Sequence, residues 1–410
     1  MRRPARKILD ELFTLLYQAS ITREESRPIR FQVFFIDPRR PDPHPPARIV
    51  RDRWGFVRLT RPIPMTLANL RKIAPASDPK SSAFAIYPDG DGKLVIWGLV
   101  DQQNRYEDYV NQEKLEGPER PGLFEARVLA PGHIVANIDY EKVADLRINH
   151  LQMETLDVFN HGPVCEALWP GINQLNHSLG GNGWEGIAAP LWLSTLRRIL
   201  LRMQSLQHGG AILITPAPRL AGLNVKYPLK YVRLRKALER YCTAYAEASE
   251  ASDLIFELHD RQSPALDWGP YFHESVSDID CRESESELES STWFVALLSR
   301  VDGLVLLSPQ LDVLGFGVEI TAEKAPRYIE QSFSATASRS RRRRVDYNHF
   351  GTRHRSMMRY CDRYPGSVGF VVSQDSDVRV MTRHEGRLVF WENLRLQKEM
   401  TREKSKKNRS

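Results

Sequence analysis

Apolar positions Ile8, Leu9, Leu12, Phe13, Leu15 and Leu16 fall on one face at helical spacing, so MRRPARKILDELFTLLYQ predicts a packed amphipathic helix. Asp10 and Glu11 interrupt any continuous apolar stretch, which separates the segment from a secretory leader. FQVFFI, Phe31 to Ile36, has the composition of a buried strand. The proline-dense Asp37 to Arg48 cannot continue a ladder and reads as a long loop or extended spacer. Ser81 to Asp101 reads as a hairpin turning at Pro88-Asp89-Gly90-Asp91-Gly92, and Leu123 to Asp139 as two further strands. The Asp-Gly-Asp-Gly turn resembles the start of a calcium loop, but no downstream series of oxygen ligands follows it.

From about Asn149 the pattern becomes helix-rich. Leu191 to Gln207 repeats apolar residues at helical spacing, and His208 to Pro218 follows as a glycine-led buried strand. A long helical and polar stretch comes next, with KYVRLRKALERYCTAYAEA as one helix, and the acidic Cys281 to Ser291 leads into a helix through TWFVALLSR. Val301 to Ile320 predicts strand, turn, strand; Gly366 to Trp391 predicts three strands joined by two turns. GNGWEG, Gly181 to Gly186, satisfies G-x-G-x-x-G, but HSLG before it is no strand, so a dinucleotide fingerprint is not indicated.

The chain has 410 residues, enough for two or three domains with real cores. No apolar run reaches the ~18–20 residues that span a bilayer, so the expectation is a soluble, cytoplasmic protein with no membrane partner. Cys165, Cys242, Cys281 and Cys361 are widely spaced, without a CxxC or a nearby Cys/His pairing, which argues against zinc and for reduced thiols. The net charge of +7 is concentrated in two places: Arg339 with Arg341 to Arg344, and the tail from Glu399. The remainder is close to neutral, so nucleic acid is an open but disfavoured partner, and the arginine run reads first as a disordered, solvated loop. Its functional alternative is an electrostatic funnel for a polyanion.

Three short pieces in the last third border buried strands: Asp302-Gly303-Leu304, then Gly351-Thr352-Arg353-His354-Arg355 at a predicted helix start, then Ser373-Gln374-Asp375. Hydroxyls, guanidiniums and helix-start amides suit phosphate oxygens, and a carboxylate nearby suits the divalent metal that accompanies a triphosphate. From spacing alone each piece also has a structural reading: a turn for Asp-Gly, a solvated surface for Arg-His-Arg and a strand-end cap for Ser373.

In their order, VDGLVLL…GFGVEI, FGTRHR and GFVVSQD, preceded by Gly210-Ala211-Ile212-Leu213-Ile214, resemble the diadenylate cyclase family, the nucleotidyltransferase domain of the DNA-integrity scanning protein and its relatives. The resemblance covers about residues 190–395, with an insertion at about 219–285, and GTRHR is its most specific part. It implies an α/β chain: a C-terminal mixed-sheet domain flanked by helices at 191–396, preceded by a smaller α+β domain at 1–150, a helical connector at 151–190, and a disordered basic tail at 397–410. It also implies an enzyme that joins two ATP into cyclic di-AMP with release of two pyrophosphates, using Mg²⁺ or Mn²⁺, in a homodimer or higher oligomer of facing domains.

Carried over by matching position, Asp302 is the metal ligand, with Asp375 as an alternative. Gly303 permits close approach, Gly351 and Thr352 to Arg355 hold phosphates, Ser373 lies near the terminal phosphates, and Gly210, Ala211 and Leu304 lie beside the nucleotide. Leu304 stands where the family has Ala, and Gln374-Asp375 where it has Glu-Glu. The first ~150 residues resemble, in position and size, sensor domains attached to such cyclases. The alternatives from other classes are an inactive nucleotide-binding module and a nucleic-acid-binding protein.

Overall fold

In the computed structural model, the described residues are 4–24, 27–41, 54–77, 81–102, 123–138, 141–147, 150–152, 155–181, 183–206, 208–216, 221–260, 268–373 and 377–397. The chain is α/β and divides into two compact units after Glu154, each built on a mixed sheet.

The first unit contains helix α1 (Arg6–Ser20), a small hairpin of β1 (Arg23–Glu24) and β2 (Arg27–Pro28), then β3 (Phe31–Phe35), β4 (Trp54–Pro64) and α2 (Leu67–Ile73). It continues through β5 (Ser82–Pro88), β6 (Leu94–Gln102), β7 (Phe124–Ala130), β8 (His133–Ile138), β9 (Glu141–Arg147) and β10 (His150–Gln152). The sheet order is β10-β9-β8-β7-β3-β5-β6-β4, with β3 and β5 parallel and the other pairs antiparallel. The expected apolar stripe of α1 is what packs here: Leu12 and Leu16 are fully buried against Phe31, Val33 and Ala126. On the other strand face the Glu125 carboxylate is buried, and it accepts from Gln32 Nε2 (2.9 Å) and Asn137 Nδ2 (2.6 Å). Asp89 Oδ1 accepts from the backbone of Asp91 and Lys93, so Asp89 closes the β5–β6 turn as a turn former.

The second unit starts with α3 (Pro163–Ser178) and α4 (Glu185–Ser205), followed by β11 (Gly210–Ile214) and β12 (Leu223–Tyr231). Two long helices follow, α5 (Arg233–Asp260) and α6 (Trp268–Leu298), packed against each other. Then come β13 (Leu304–Leu307), β14 (Val313–Ile320), β15 (Ile329–Ser332), β16 (Arg342–Arg344), α7 (Thr352–Arg363), β17 (Val368–Val372), β18 (Val378–His384) and β19 (Arg387–Trp391). The sheet order is β12-β14-β13-β11-β17-β18-β19-β15-β16. Both central strands, GAILI and VGFVV, are buried at every position, as strands covered on both faces must be. Side-chain alternation separates the two faces. Val371 and Ala211 pack under Met357, Met358 and Cys361 of α7, while Phe370 stacks on Phe159 ahead of α3 on the opposite side.

Three expectations are corrected here. The region after Pro218, expected to be helical and polar, opens with β12, whose partial alternation pairs it with β14 at the sheet edge. The acidic Cys281 to Ser291 does not precede a helix; it lies inside the single helix α6, because its serines and glutamates alternate between the packed and the watered face. The arginine run is not a loose loop. Arg339–Arg341 form a short 3-10 turn and Arg342–Arg344 pair with β15 as the last strand of the sheet. Electrostatics orders it: the Arg342 guanidinium, 5% exposed, bonds Glu330 at 3.2 Å and Glu385 at 2.7 Å, while Arg387 also meets Glu330 and Arg339 meets Glu385. GNGWEG joins the end of α3 to the start of α4, with Gly181 and Gly183 at positive φ, and no strand precedes it. Of the expected 397–410 tail, all but Gln397 lies outside the described residues.

Candidate functional site

Strand register brings the separated sequence pieces to one edge of the second sheet. Strand β11 is its axis. Its first residue, Gly210, lies opposite Val372 at the end of antiparallel β17, so Ser373 emerges beside it. On its other side β13 runs parallel, with Ile212 opposite Val305; the same register sets Gly210 level with Gly303 and Asp302 just beyond. Val371 in turn pairs with Arg379 of β18. Arg379 Nη1 lies 3.1 Å from His354 Nε2, which fixes the start of α7 at this same edge.

The local chemistry of each piece explains its place. Gly303 has φ +113°, and a Cβ there would lie 2.5 Å from the carbonyl carbon of Gly317 on β14. The Asp302-Gly303 corner is therefore held tightly against the neighbouring strand, a close approach only glycine allows. The Asp302 side chain is exposed, and among the described residues its carboxylate makes no hydrogen bond or ion pair. Lys226 of β12 stands within electrostatic reach; its ammonium is held 2.6 Å from Glu319, whose hydrogen bond, with a smaller contribution from Asp302, raises the Lys226 pKa.

Helix α7 begins at Gly351 without a side-chain cap and without an acidic residue in its first turn. Its first amides and the positive end of its dipole are thus uncompensated by the chain, and Arg353 and Arg355 add cationic side chains. Phe350 anchors the approach by an edge contact with Phe390, 5.2 Å between centroids. The Tyr347 hydroxyl donates to the Arg355 carbonyl at 3.2 Å. His354 is pushed down to about 4, first by burial and then by the guanidiniums of Arg379 and Arg353, so its imidazole is neutral at pH 7. It can accept from Arg379 and keep one ring N–H for another partner.

Not every residue of the set faces outward. Ala211 and Leu304 belong to the core beneath α7, at 1% and 5% exposure, packed with Met357 and Met358. Gly210 is buried under Met203 and Ser299. Ser373 acts as a turn closer: its Oγ accepts from the Asp377 amide at 3.0 Å and its own amide donates to the Asp377 carbonyl. Gln374 and Asp375 lie outside the described residues. The open part of the edge is therefore formed by Asp302, Gly351, Thr352 and the partly exposed Arg353, His354 and Arg355. Among the described residues no group of three or more His, Cys, Asp or Glu side chains is placed to hold a metal. One exposed carboxylate still fits a hexaquo-type cation such as Mg²⁺, which is ordinarily held by one or two carboxylates together with substrate phosphates.

Phe350, Arg379 and Lys226 join the edge without having been expected there. Phe350 adjoins GTRHR and could have been read as its anchor. Arg379 and Lys226 sit in ordinary strand patterns, and only the register brings them to the site.

Among the described residues no helix is long and apolar enough to cross a membrane. Searched against curated proteins, the chain matches none. Residues 1–101 match a family model described as a probable sensor domain, DACNV.

Proposed function

We propose that the second unit is a diadenylate cyclase that condenses two ATP into cyclic di-AMP, and that the first unit is the sensor that controls it. The observation that carries the reading is the gathering of Asp302-Gly303, Thr352 to Arg355 and the end of β17 at a single sheet edge, from stretches up to 70 residues apart. In the proposed reaction the 3′-oxygen of one nucleotide bonds to the α-phosphorus of the other. The bond from that phosphorus to pyrophosphate breaks and the hydroxyl proton is released to solvent. The same exchange in the opposite sense closes the ring, so the working site needs two facing domains.

The chain's contribution is positioning and charge neutralisation. The uncapped start of α7 supplies amides to phosphate oxygens, and Thr352 adds a hydroxyl. Arg353 and Arg355 balance the negative charge that moves onto the leaving pyrophosphate. Neutral His354 donates a hydrogen bond without adding another cation. Asp302 would hold Mg²⁺ or Mn²⁺ together with the phosphates, and the metal would supply charge neutralisation and a more acidic 3′-hydroxyl. The probable sensor match at residues 1–101 supports a regulatory first unit, which we place upstream of how two cyclase domains face each other.

A nucleotide-binding module without turnover is the second reading, and Gln374 favours it, since it stands where the resembled family has a carboxylate. The deciding assay incubates the full chain with ATP and Mg²⁺ or Mn²⁺ and identifies products by mass spectrometry. Cyclic di-AMP from the wild type, lost in Asp302→Asn with an unchanged melting temperature, is expected. ATP binding without product, in the full chain and in a 155–397 fragment alike, would overturn the cyclase in favour of the module.

A further inference from the structure

The inserted helix α6 carries two apolar faces where a surface helix needs one. Its packed face is made of small and hydroxyl residues, Ser277, Ser284 and Ser291 with Leu288 and Val295, all buried. Its outward face carries the larger groups. Trp268, Phe272, Val276 and Ile279 recur at helical spacing and are 71%, 73%, 49% and 56% exposed, and Phe256 near the end of α5 is 75% exposed. An ordinary amphipathic helix has the reverse arrangement, with its bulkiest apolar groups inward. Three aromatics of ~150–250 Å² each, with the two aliphatic chains, offer roughly 600–800 Å². That exceeds the ~300–600 Å² of the largest patch on a typical monomer and approaches the ~800 Å² that one partner contributes to a standard interface.

We propose that this face is a self-association surface, on which the hairpin of a second copy docks with its α6 antiparallel across a two-fold axis. Two observations select a second copy. The area matches one half of a stable interface. The stripe from Trp268 to Ile279 also carries no charge, so it can meet itself across a two-fold axis without like charges facing each other. The charged residues of this stretch lie off the stripe, and Asp278 is held by Arg282 at 2.6 Å. A lipid surface would call for a basic flank, whereas the exposed flank of α5 carries Glu247, Glu250, Asp253 and Glu257. The inference is independent of the cyclase reading, since it concerns the insertion and not the sheet edge.

Sedimentation velocity on the full chain, over concentrations on the order of 1–100 µM, tests it in the range where interfaces of this size operate. The wild type is expected to dimerise, and Trp268→Glu/Phe272→Glu to weaken that dimer at least ~100-fold, as loss of two aromatic anchors does. Both side chains are mostly exposed, so helicity by circular dichroism is expected to stay unchanged. A wild type that is monomeric throughout overturns the proposal, as does a dimer that the double variant leaves intact, which would place the contact elsewhere. Should the double variant lose helicity, Ser275→Cys decides: Ser275 borders the stripe, so mild oxidation is expected to give a disulfide-linked dimer above the wild-type background, and its absence overturns the docking.

Discussion

Replacing Gly303 by alanine tests the geometry that presents Asp302. Two costs are read from the structure. The backbone at φ +113° lies where L-residues are strained by ~1–3 kcal/mol. The new Cβ would also sit 2.5 Å from Gly317 C, 2.8 Å from Gly317 Cα and 2.8 Å from Val318 N. All three are backbone atoms, so β14 has to move away from β13, at ~1–3 kcal/mol for overpacking of this kind. The sum is about 2–6 kcal/mol. With a urea dependence near ~3 kcal/mol per molar, the unfolding midpoint is expected to fall by ~0.7–2 M. Gly386→Ala is the matched control: its φ is +75°, but a Cβ there meets nothing within 4 Å, so only the conformational cost of about 1–2 kcal/mol applies. Urea titrations of both variants, followed by tryptophan fluorescence, separate the two costs. Equal midpoints for Gly303→Ala and Gly386→Ala would refute the argument that strand proximity fixes the Asp302-Gly303 corner. On the cyclase reading, nucleotide turnover in Gly303→Ala is expected to fall further than stability at the assay temperature explains, since parting β14 from β13 shifts the Asp302-Gly303 corner.

His354 binds its proton near pH 4 when folded and near 6.5 when unfolded, so the unfolded chain holds more protons between those values; stability present above pH 6.5 is expected to decline as pH falls toward 4, and urea midpoints across this window should show a shallower decline in His354→Gln. Glu385 is held down to about 2 by Arg342 and Arg339, which adds a separate loss of stability as pH falls from the ordinary glutamate range through that value, removed in Glu385→Gln. Arg342→Ala leaves the buried Glu330 short of a partner and is expected to cost ~2–4 kcal/mol by thermal denaturation, whereas exposed Arg343→Ala should stay within ~0.5 kcal/mol. On the proposed cyclase reading, removing residues 1–154 is expected to change how cyclic di-AMP production responds to conditions; identical rates and identical oligomeric state in the trimmed chain would count against a sensor.

Much of this protein was legible in its residues. The α1 stripe, the β5–β6 turn and the buried GAILI and VGFVV strands follow from hydrophobic period and turn chemistry, which act locally and leave their mark in consecutive residues. The phosphate-suited composition of Thr352 to Arg355 was equally readable, because residue type alone carries it. Tertiary structure decided the rest. Whether Arg342 is a loose cation or a buried strut depends on Glu330 and Glu385, which are distant in sequence and reach it through strand pairing and a turn. Whether Leu304 faces a ligand or the core depends on the helix laid over it, and Lys226 and Arg379 come to the Asp302 edge only through register. The acidic run of α6 was opaque for the same reason. Its serines and glutamates have no preferred inside until α5 packs against them, and its aromatics are recognisable as outward-facing only once that packing has taken the opposite face.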